Sequence, residues 1–288
     1  AFLGTVSLGA IWSSCSPDFG AKGMIERFSQ INPKVLFVVN YYFYNGKKIN
    51  VVERIPQILK EIKSIKYVIV VNYPGSDVLE EKISLQNVKV YKWNELIKVN
   101  KIRYPNFNFE HPLAILYSSG TTGKPKCICH RSGGVLLQHK KEHLLHCDIK
   151  ENDNVFYFTT CGWMMWNWLV SVLASKASIV LFDGSPTFRK DDLLLQIAEK
   201  EKITLFGVSA KYIDTLRKLK PLLKYKYKLT KLKTICSTGS PLSKEGFEYI
   251  YENIKKNVHL SSISGGTDIV SCFVLGNLYE PVNLGQIQ

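Results

Sequence analysis

Short runs of consecutive apolar residues alternate along this chain with stretches in which apolar positions recur every three or four residues. "GMIERFSQI" precedes "KVLFVV", "VVERIPQILKEI" precedes "KYVIVV", and "DDLLLQIAEKE" precedes "ITLFGV". The first member of each pair has helical spacing. The second is the continuous β-rich run expected of a strand buried on both faces. This alternation predicts an α/β fold of layered, mainly parallel sheets flanked by helices. Further strands are expected at "LAILY", "VFYFTT", "KTICS" and "VSCFV", and "NYPGSD" (72–77) is the clearest internal turn. No repeat is evident, and nothing in the pattern divides the chain into independent domains.

The longest apolar run, "WMMWNWLVSVLASKASIVLF" (163–182), approaches membrane-spanning length but contains Asn167, Lys176 and several serines. A buried helix ending near Ser175-Lys176 and followed by a strand accounts for it better than a membrane span. The opening "AFLGTVSLGAIWSS" is core-like, without a basic start or cleavage signal, and "YEPVNLGQIQ" stops in a turn-like segment. Both ends therefore read as truncations of something longer.

At 288 residues with 45% hydrophobic side chains, the chain can bury a sizeable core, which excludes a disordered or stapled mini-protein. A net charge of +14 suggests an anionic partner, and residues 211–233 hold nine Lys or Arg against the single acid Asp214. That stretch lacks a groove-reading signature, so a solvated face is preferred over nucleic-acid binding. ATP and CoA are polyanions as well. The seven cysteines are odd in number and include no Cys-x-x-Cys pair, which points to reduced thiols and a cytosolic, cytoplasmic location.

Residues 113–130, "LAILYSSGTTGKPKCICH", run an apolar strand into a polar loop of Ser, Thr, Gly, Lys and Pro. Such a loop offers unobstructed backbone N–H groups, hydroxyl donors and ammonium groups, a set suited to a row of phosphates. It is not a Walker loop, which needs a hydroxyl residue directly after the lysine, whereas Pro125 follows Lys124. A flexible polar surface loop is the plain alternative. The order Tyr-Ser-Ser-Gly-Thr-Thr-Gly-Lys-Pro-Lys resembles the phosphate loop of the adenylate-forming acyl-CoA synthetases. "STGSPLS" (237–243) is similar to that family's adenine-side turn, and "SGGTDI" (264–269) to its segment ending in Thr and an acid. Each is commonplace alone, so their order carries the resemblance. "GAIWSSCSPDFG", "HKKEHLLH", "GWMMWNW" and "LFDGSP" look like the branch of the family that takes acetoacetate.

The resemblance implies a large N-terminal AMP-binding domain, truncated at both ends and occupying 1–288. It implies an ATP-dependent acid:CoA ligase using Mg²⁺ and CoA. Ser118, Ser119, Gly120, Thr121, Thr122, Gly123 and Lys124 would hold the β- and γ-phosphates, with Lys126 closing the loop. Gly239, Ser240 and Pro241 would flank adenine. Gly266 and Thr267 would approach the α-phosphate, and Asp268 would hold magnesium where the family usually has Glu. Thr267, Asp268 and Lys124 are the expected catalytic residues. Trp163, Met164, Met165, Thr238 and Gly265 would line the acyl pocket, with plain helix core the alternative for the Trp and Met residues. Related acetate enzymes have a Trp where this chain has Gly265, which implies a deeper pocket. Lys47, in "YNGKKI", is a weak match to the basic stretch near the CoA 3′-phosphate, and an exposed hairpin is the favoured reading there.

"HKKEH" (139–143) matches the His-x-x-Glu-His pattern of some zinc peptidases, but no distal ligand suggests itself. The stretch reads instead as the helix after the phosphate loop. The family's smaller C-terminal domain, which supplies a catalytic Lys, does not follow Gln288, so this piece alone is expected to be inactive or weakly active. Two rivals stay open: a non-catalytic nucleotide or acyl-CoA binder, and another short-chain acyl-CoA ligase.

Overall fold

The computed structural model describes residues 1–74, 87–97, 104–118, 123–219 and 223–288. They form two compact units, Ala1–Ser132 and Gly133–Gln288.

In the first unit, helix α1 (Phe2–Ser7) and strand β1 (Trp12–Ser13) precede α2 (Gly20–Phe28), β2 (Val35–Val39), β3 (Tyr41–Tyr44) and β4 (Lys47–Asn50). Then come α3 (Ile55–Glu61), β5 (Tyr67–Val71), β6 (Lys89–Lys92), α4 (Trp93–Leu96), β7 (Pro112–Ser118) and β8 (Lys126–Arg131). Strands β2, β5 and β6 form a parallel sheet in which Val35 pairs with Tyr67 and Val39 with Val71. Leu36, Val38, Val68 and Val70 point into a core completed by Met24 and Phe28 of α2 and Ile55, Ile58 and Leu59 of α3. Pro56 suits the first turn of α3, where its missing N–H would have no partner anyway. The opposite face is less covered than expected, because Val35 and Tyr67 are exposed. A second sheet, β1-β7-β8, is mixed: β1 runs parallel to β7, and β8 runs antiparallel to it. Of the expected turn at 72–77, residues 75–77 lie outside the described residues.

The second unit contains α5 (Ser132–Lys141, whose first residue closes the first unit), β9 (Asn154–Tyr157), α6 (Met164–Ser171), β10 (Ser178–Val180) and α7 (Leu193–Lys200). These are followed by β11 (Leu205–Ser209), α8 (Ala210–Leu219), β12 (Thr234–Thr238), α9 (Lys244–Tyr249), β13 (His259–Ser262), β14 (Ser264–Gly266) and β15 (Ser271–Val274). Five parallel strands stand in the order β10-β9-β11-β12-β13. Successive side chains alternate between two cores. Phe156, Phe206, Val208 and Ile235 meet α7, α8 and α9, whereas Val155, Tyr157, Leu205 and Cys236 meet Trp168, Leu169 and Val172. Both faces of the central strands are therefore covered, as the unbroken apolar runs require.

The 163–182 run resolves as expected into α6, a 3-10 turn over Val172–Ser175, a left-handed Lys176 with φ of 56°, and β10. No helix among the described residues is long and apolar enough to cross a membrane. The strand expected at "VSCFV" is β15, which pairs antiparallel with β14, because the four residues between them are too few for a crossover. Part of the basic stretch is internal structure: Lys226 pairs with buried Asp192, and Lys233 with buried Asp153 at 2.9 Å. None of the seven cysteines is in a disulfide.

Candidate functional site

The polar loop of the first unit joins two antiparallel strands. Ser118 pairs with Lys126 and Tyr117 with Cys127, so the strand leads back along itself, and β8 stands between the loop and helix α5. Ser119, Gly120, Thr121 and Thr122 lie outside the described residues. Ser118 is half-buried at the end of β7. Gly123 has open space where a side chain would stand, and Lys124 and Lys126 are exposed. Neither ammonium has an ion-pair partner among the described residues. The base of the hairpin is anchored. Gln30 donates to the Pro125 carbonyl at 2.9 Å, and Ser13 Oγ lies 2.9 Å from Tyr117 Oη. Burial, partly offset by Ser13, raises the Tyr117 phenol well above its usual pKa, which keeps it neutral. Lys47 stands exposed at the start of β4, in the β3–β4 hairpin that the sequence favours.

In the second unit, the remaining candidates leave the carboxyl edge of the five-stranded sheet, where ligands of open parallel sheets bind. Trp163, Met164 and Met165 follow β9. Thr238 ends β12 and leads into Gly239, Ser240 and Pro241, with Gly239 in the left-handed region at φ of 87°. Gly265 through Asp268 follow β13, the neighbour of β12. Thr238 Oγ1 reaches the Ile263 carbonyl at 3.5 Å, and Ile263 N–H donates to Ser237 O at 2.8 Å, tying the two exits together. Ser240 and Pro241 are exposed, and Ser243 then caps α9 by accepting from Gly246 N–H.

Thr267 and Asp268 occupy the turn between β14 and β15, closed by Val270 N–H donating to Thr267 O at 3.2 Å. Asp268 is exposed and Thr267 half-buried, with Gly266 just before them on β14. A half-buried hydroxyl and an exposed carboxylate are hard oxygen groups of the kind Mg²⁺ accepts, and Mg²⁺ usually completes its shell with water and substrate phosphate, so the chemistry of these residues fits the ion.

Three of the acyl-pocket candidates have a telling environment. Trp163 is 61% exposed and is not helix core, while Met165 leans on the core built around Trp168. At Gly265, a Cβ would lie 2.2 Å from the Ser271 carbonyl oxygen and 2.7 Å from Cys272 Cα. The glycine is thus required by the close approach of β15 at a bulge, whatever it also does for an acyl group.

Helix α5 does more than follow the loop. It continues as a π-helical turn over Glu142–His146, and its polar residues turn inward. His139, Glu142 and His143 are fully buried. His139 Nε2 donates to the Val270 carbonyl at 2.6 Å, and its Nδ1 lies 2.8 Å from Ser171 Oγ. Glu142 accepts from Trp168 Nε1 at 2.8 Å, from Cys272 N–H at 3.1 Å, and from Ser271 Oγ. Burial, helped by adjacent His139, pushes the His143 imidazole down to a pKa of about 3, so it packs neutral, edge-on to Trp168. The signal in the sequence is a pair of His four residues apart, His139 and His143, with Glu142 three residues after the first. The same residues also spell the zinc pattern, which hides their packing role.

Against known proteins, the profile of the AMP-binding enzyme family matches residues 1–283. The chain belongs to this family. As an AMP-binding enzyme it is 48% identical over 286 residues to acetoacetyl-coenzyme A synthetase of Rhizobium meliloti, covering 99% of this chain and 44% of that protein. It is 46% identical over 297 residues to acetoacetyl-CoA synthetase of Gallus gallus, covering 100% of the chain and 44% of the relative. A solved structure, acetoacetyl-CoA synthetase from Streptomyces lividans, superposes with a TM-score of 0.92 at 37% identity, again over 100% of this chain and 44% of that one. The chain thus spans 44% of the length of these relatives. The α/β fold of parallel sheets and helices is that of the AMP-binding family.

Proposed function

We propose that the complete gene product carrying this chain is an ATP-dependent acid:CoA ligase that activates acetoacetate, and that the chain is part of its large nucleotide-binding domain. The observation that carries this reading is the 48% identity, over nearly the whole chain, to a relative named for acetoacetyl-CoA synthesis. In the first step a carboxylate oxygen attacks the α-phosphorus of ATP and pyrophosphate leaves. In the second, the CoA sulfur attacks the acyl carbon, gives up its proton, and AMP leaves with the electron pair.

Acid and phosphate are both anionic, so the protein's task is to neutralise charge and hold an in-line geometry more than to supply a base. Lys124 and Lys126 suit the first task, since no described acid neutralises them. The backbone and hydroxyls of 118–123 would share the β- and γ-phosphates, Gly239, Ser240 and Pro241 the adenine, and Gly266 and Thr267 the α-phosphate. Asp268 would hold Mg²⁺, which supplies charge neutralisation on the phosphates. Trp163, Met164, Met165 and Thr238 would bound the acyl group, and Lys47 would meet CoA. A cytosolic setting fits the thiols of Cys147, Cys236 and Cys272 packed in the core.

The test is pyrophosphate release by the complete gene product with ATP, Mg²⁺, CoA and a panel of short acids. Acetoacetate should be turned over fastest. Acetate or propionate matching it would overturn the assignment of the acid, and no acid-dependent release would overturn the ligase reading. Gly265→Trp is expected to abolish acetoacetate turnover. Because any side chain there meets the Ser271 carbonyl, Met164→Trp is the cleaner probe of the pocket.

A further inference from the structure

The turn that carries Thr267 and Asp268 is held from beneath by buried polar groups of one helix. Val270, a β-branched residue, sits in the left-handed region at φ of 51°, where its side chain crowds the backbone and the surroundings must hold it. Its carbonyl accepts from His139 Nε2 at 2.6 Å. The next residue, Ser271, accepts from Gln138 Nε2 at 2.7 Å and donates to Glu142. The one after, Cys272, donates its N–H to Glu142 at 3.1 Å. Three consecutive residues, the last of the turn and the first two of β15, are therefore fixed by Gln138, His139 and Glu142. Trp168 donates to the second oxygen of Glu142 at 2.8 Å, and the carboxylate has no exposed surface.

Buried polar clusters replaced together with their partners by apolar residues of similar volume commonly leave a core as stable or more so, and net stability does not account for this carboxylate. What it adds here is direction: its bonds from Ser271 Oγ and Cys272 N–H go to the return strand of one hairpin, and its bond from Trp168 ties that strand to α6. The π-turn that starts at Glu142 is itself a departure from regular helix of the kind that often accompanies functional sites.

We propose that His139 and Glu142 are positioning residues. Through the backbone of 270–272 they keep the β14–β15 turn in the geometry that presents Thr267 and Asp268 for adenylate formation. This rests on the ligase reading above. Neither residue touches substrate; each acts through the hairpin.

Four variants of the complete gene product test it: His139→Leu, His139→Gln, Glu142→Gln, and Val172→Ala as a control in the same core away from the turn. In His139→Leu, hydrogen exchange of peptides covering 264–274 should speed up. The kcat for acetoacetate-dependent pyrophosphate release should fall about 100-fold, the scale expected of a misplaced reacting group, with KM for ATP little changed. His139→Gln retains an N–H for Val270 and should recover most of the loss. Glu142→Gln keeps the volume and asks the same question if the leucine variant does not accumulate. Val172→Ala should lower the melting temperature and leave kcat near wild type. Unchanged exchange over 264–274 would overturn the clamp. Altered exchange with unaltered kcat, or an equal kcat loss in Val172→Ala, would overturn the positioning role. If the wild-type protein releases no pyrophosphate with acetoacetate, the ligase reading falls and the catalytic role with it, while the exchange data still report whether His139 holds the hairpin.

Discussion

Two antiparallel hairpins of this chain carry the residues with the clearest chemistry, and they are built in opposite ways. At the tip of the β7–β8 hairpin the described residues Gly123, Lys124 and Lys126 stand in solvent, and the two lysines have no acid partner among the described residues. The β14–β15 hairpin ends in Thr267 and Asp268, and its return strand is bonded to a buried carboxylate and a buried imidazole. On the reading proposed above, a loop of small residues suits an extended polyphosphate, which needs many modest contacts that can adjust. A carboxylate that is to hold a metal at one position would need a rigid support, because its effect falls off with small displacements.

Substitutions in the two hairpins should therefore fail differently. The largest effect on folding is expected from Glu142→Leu, which leaves Trp168 Nε1–H and Cys272 N–H buried without an acceptor. It should cost about 4 kcal/mol, read from the urea midpoint, since each such group costs about 1–3 kcal/mol. A loss below about 1 kcal/mol would show that the carboxylate is not the hub of the hairpin's support.

His143, one position further along, sharpens the same contrast through pH. Its folded pKa of about 3 lies below the unfolded value of 6.5, so the unfolded chain binds the extra proton. Its contribution is complete above pH 6.5 and is lost as the pH falls toward 3, by at most roughly 5 kcal/mol. His143→Phe should flatten the stability curve across that window. Parallel curves for the two proteins would contradict the neutral, packed imidazole.

Lys124→Ala should leave the melting temperature unchanged and lower kcat/KM for pyrophosphate release by about 1–3 kcal/mol of transition-state stabilisation. A wild-type rate would remove the β7–β8 loop from the chemistry. The smallest effect is expected at Lys47→Ala, where an exposed ammonium should change KM for CoA by about threefold at low salt and less at high salt. A change in the adenylation step instead would place Lys47 with the nucleotide.

Much of the fold is legible in the sequence because the parallel sheet of the second unit is buried on both faces, and unbroken runs such as those ending at Val208 and Ser237 suit a covered strand and little else. Strands that depend on partners are not legible in this way. "KCICHR" and "HLSS" lack an apolar run and become β8 and β13 only through β7 and β12. Gly265 reads in sequence as room beside an acyl group, and the structure adds a second demand for glycine, the close approach of the Ser271 backbone. Such close approaches leave no trace in a one-dimensional pattern.

By itself, the order of residues determined the layered α/β class and located the phosphate-type loop, the Gly-Ser-Pro turn and the Thr-Asp segment. Local propensity and the chemistry of small polar residues act over a few positions and can be read there. The tertiary structure alone decided that His139 and Glu142 point inward to the hairpin more than a hundred residues later. It also decided which side of Gly265 is occupied and that β15 turns back on β14. Those outcomes depend on which distant backbone groups a buried donor or acceptor finds, and that is settled only when the chain has closed around it.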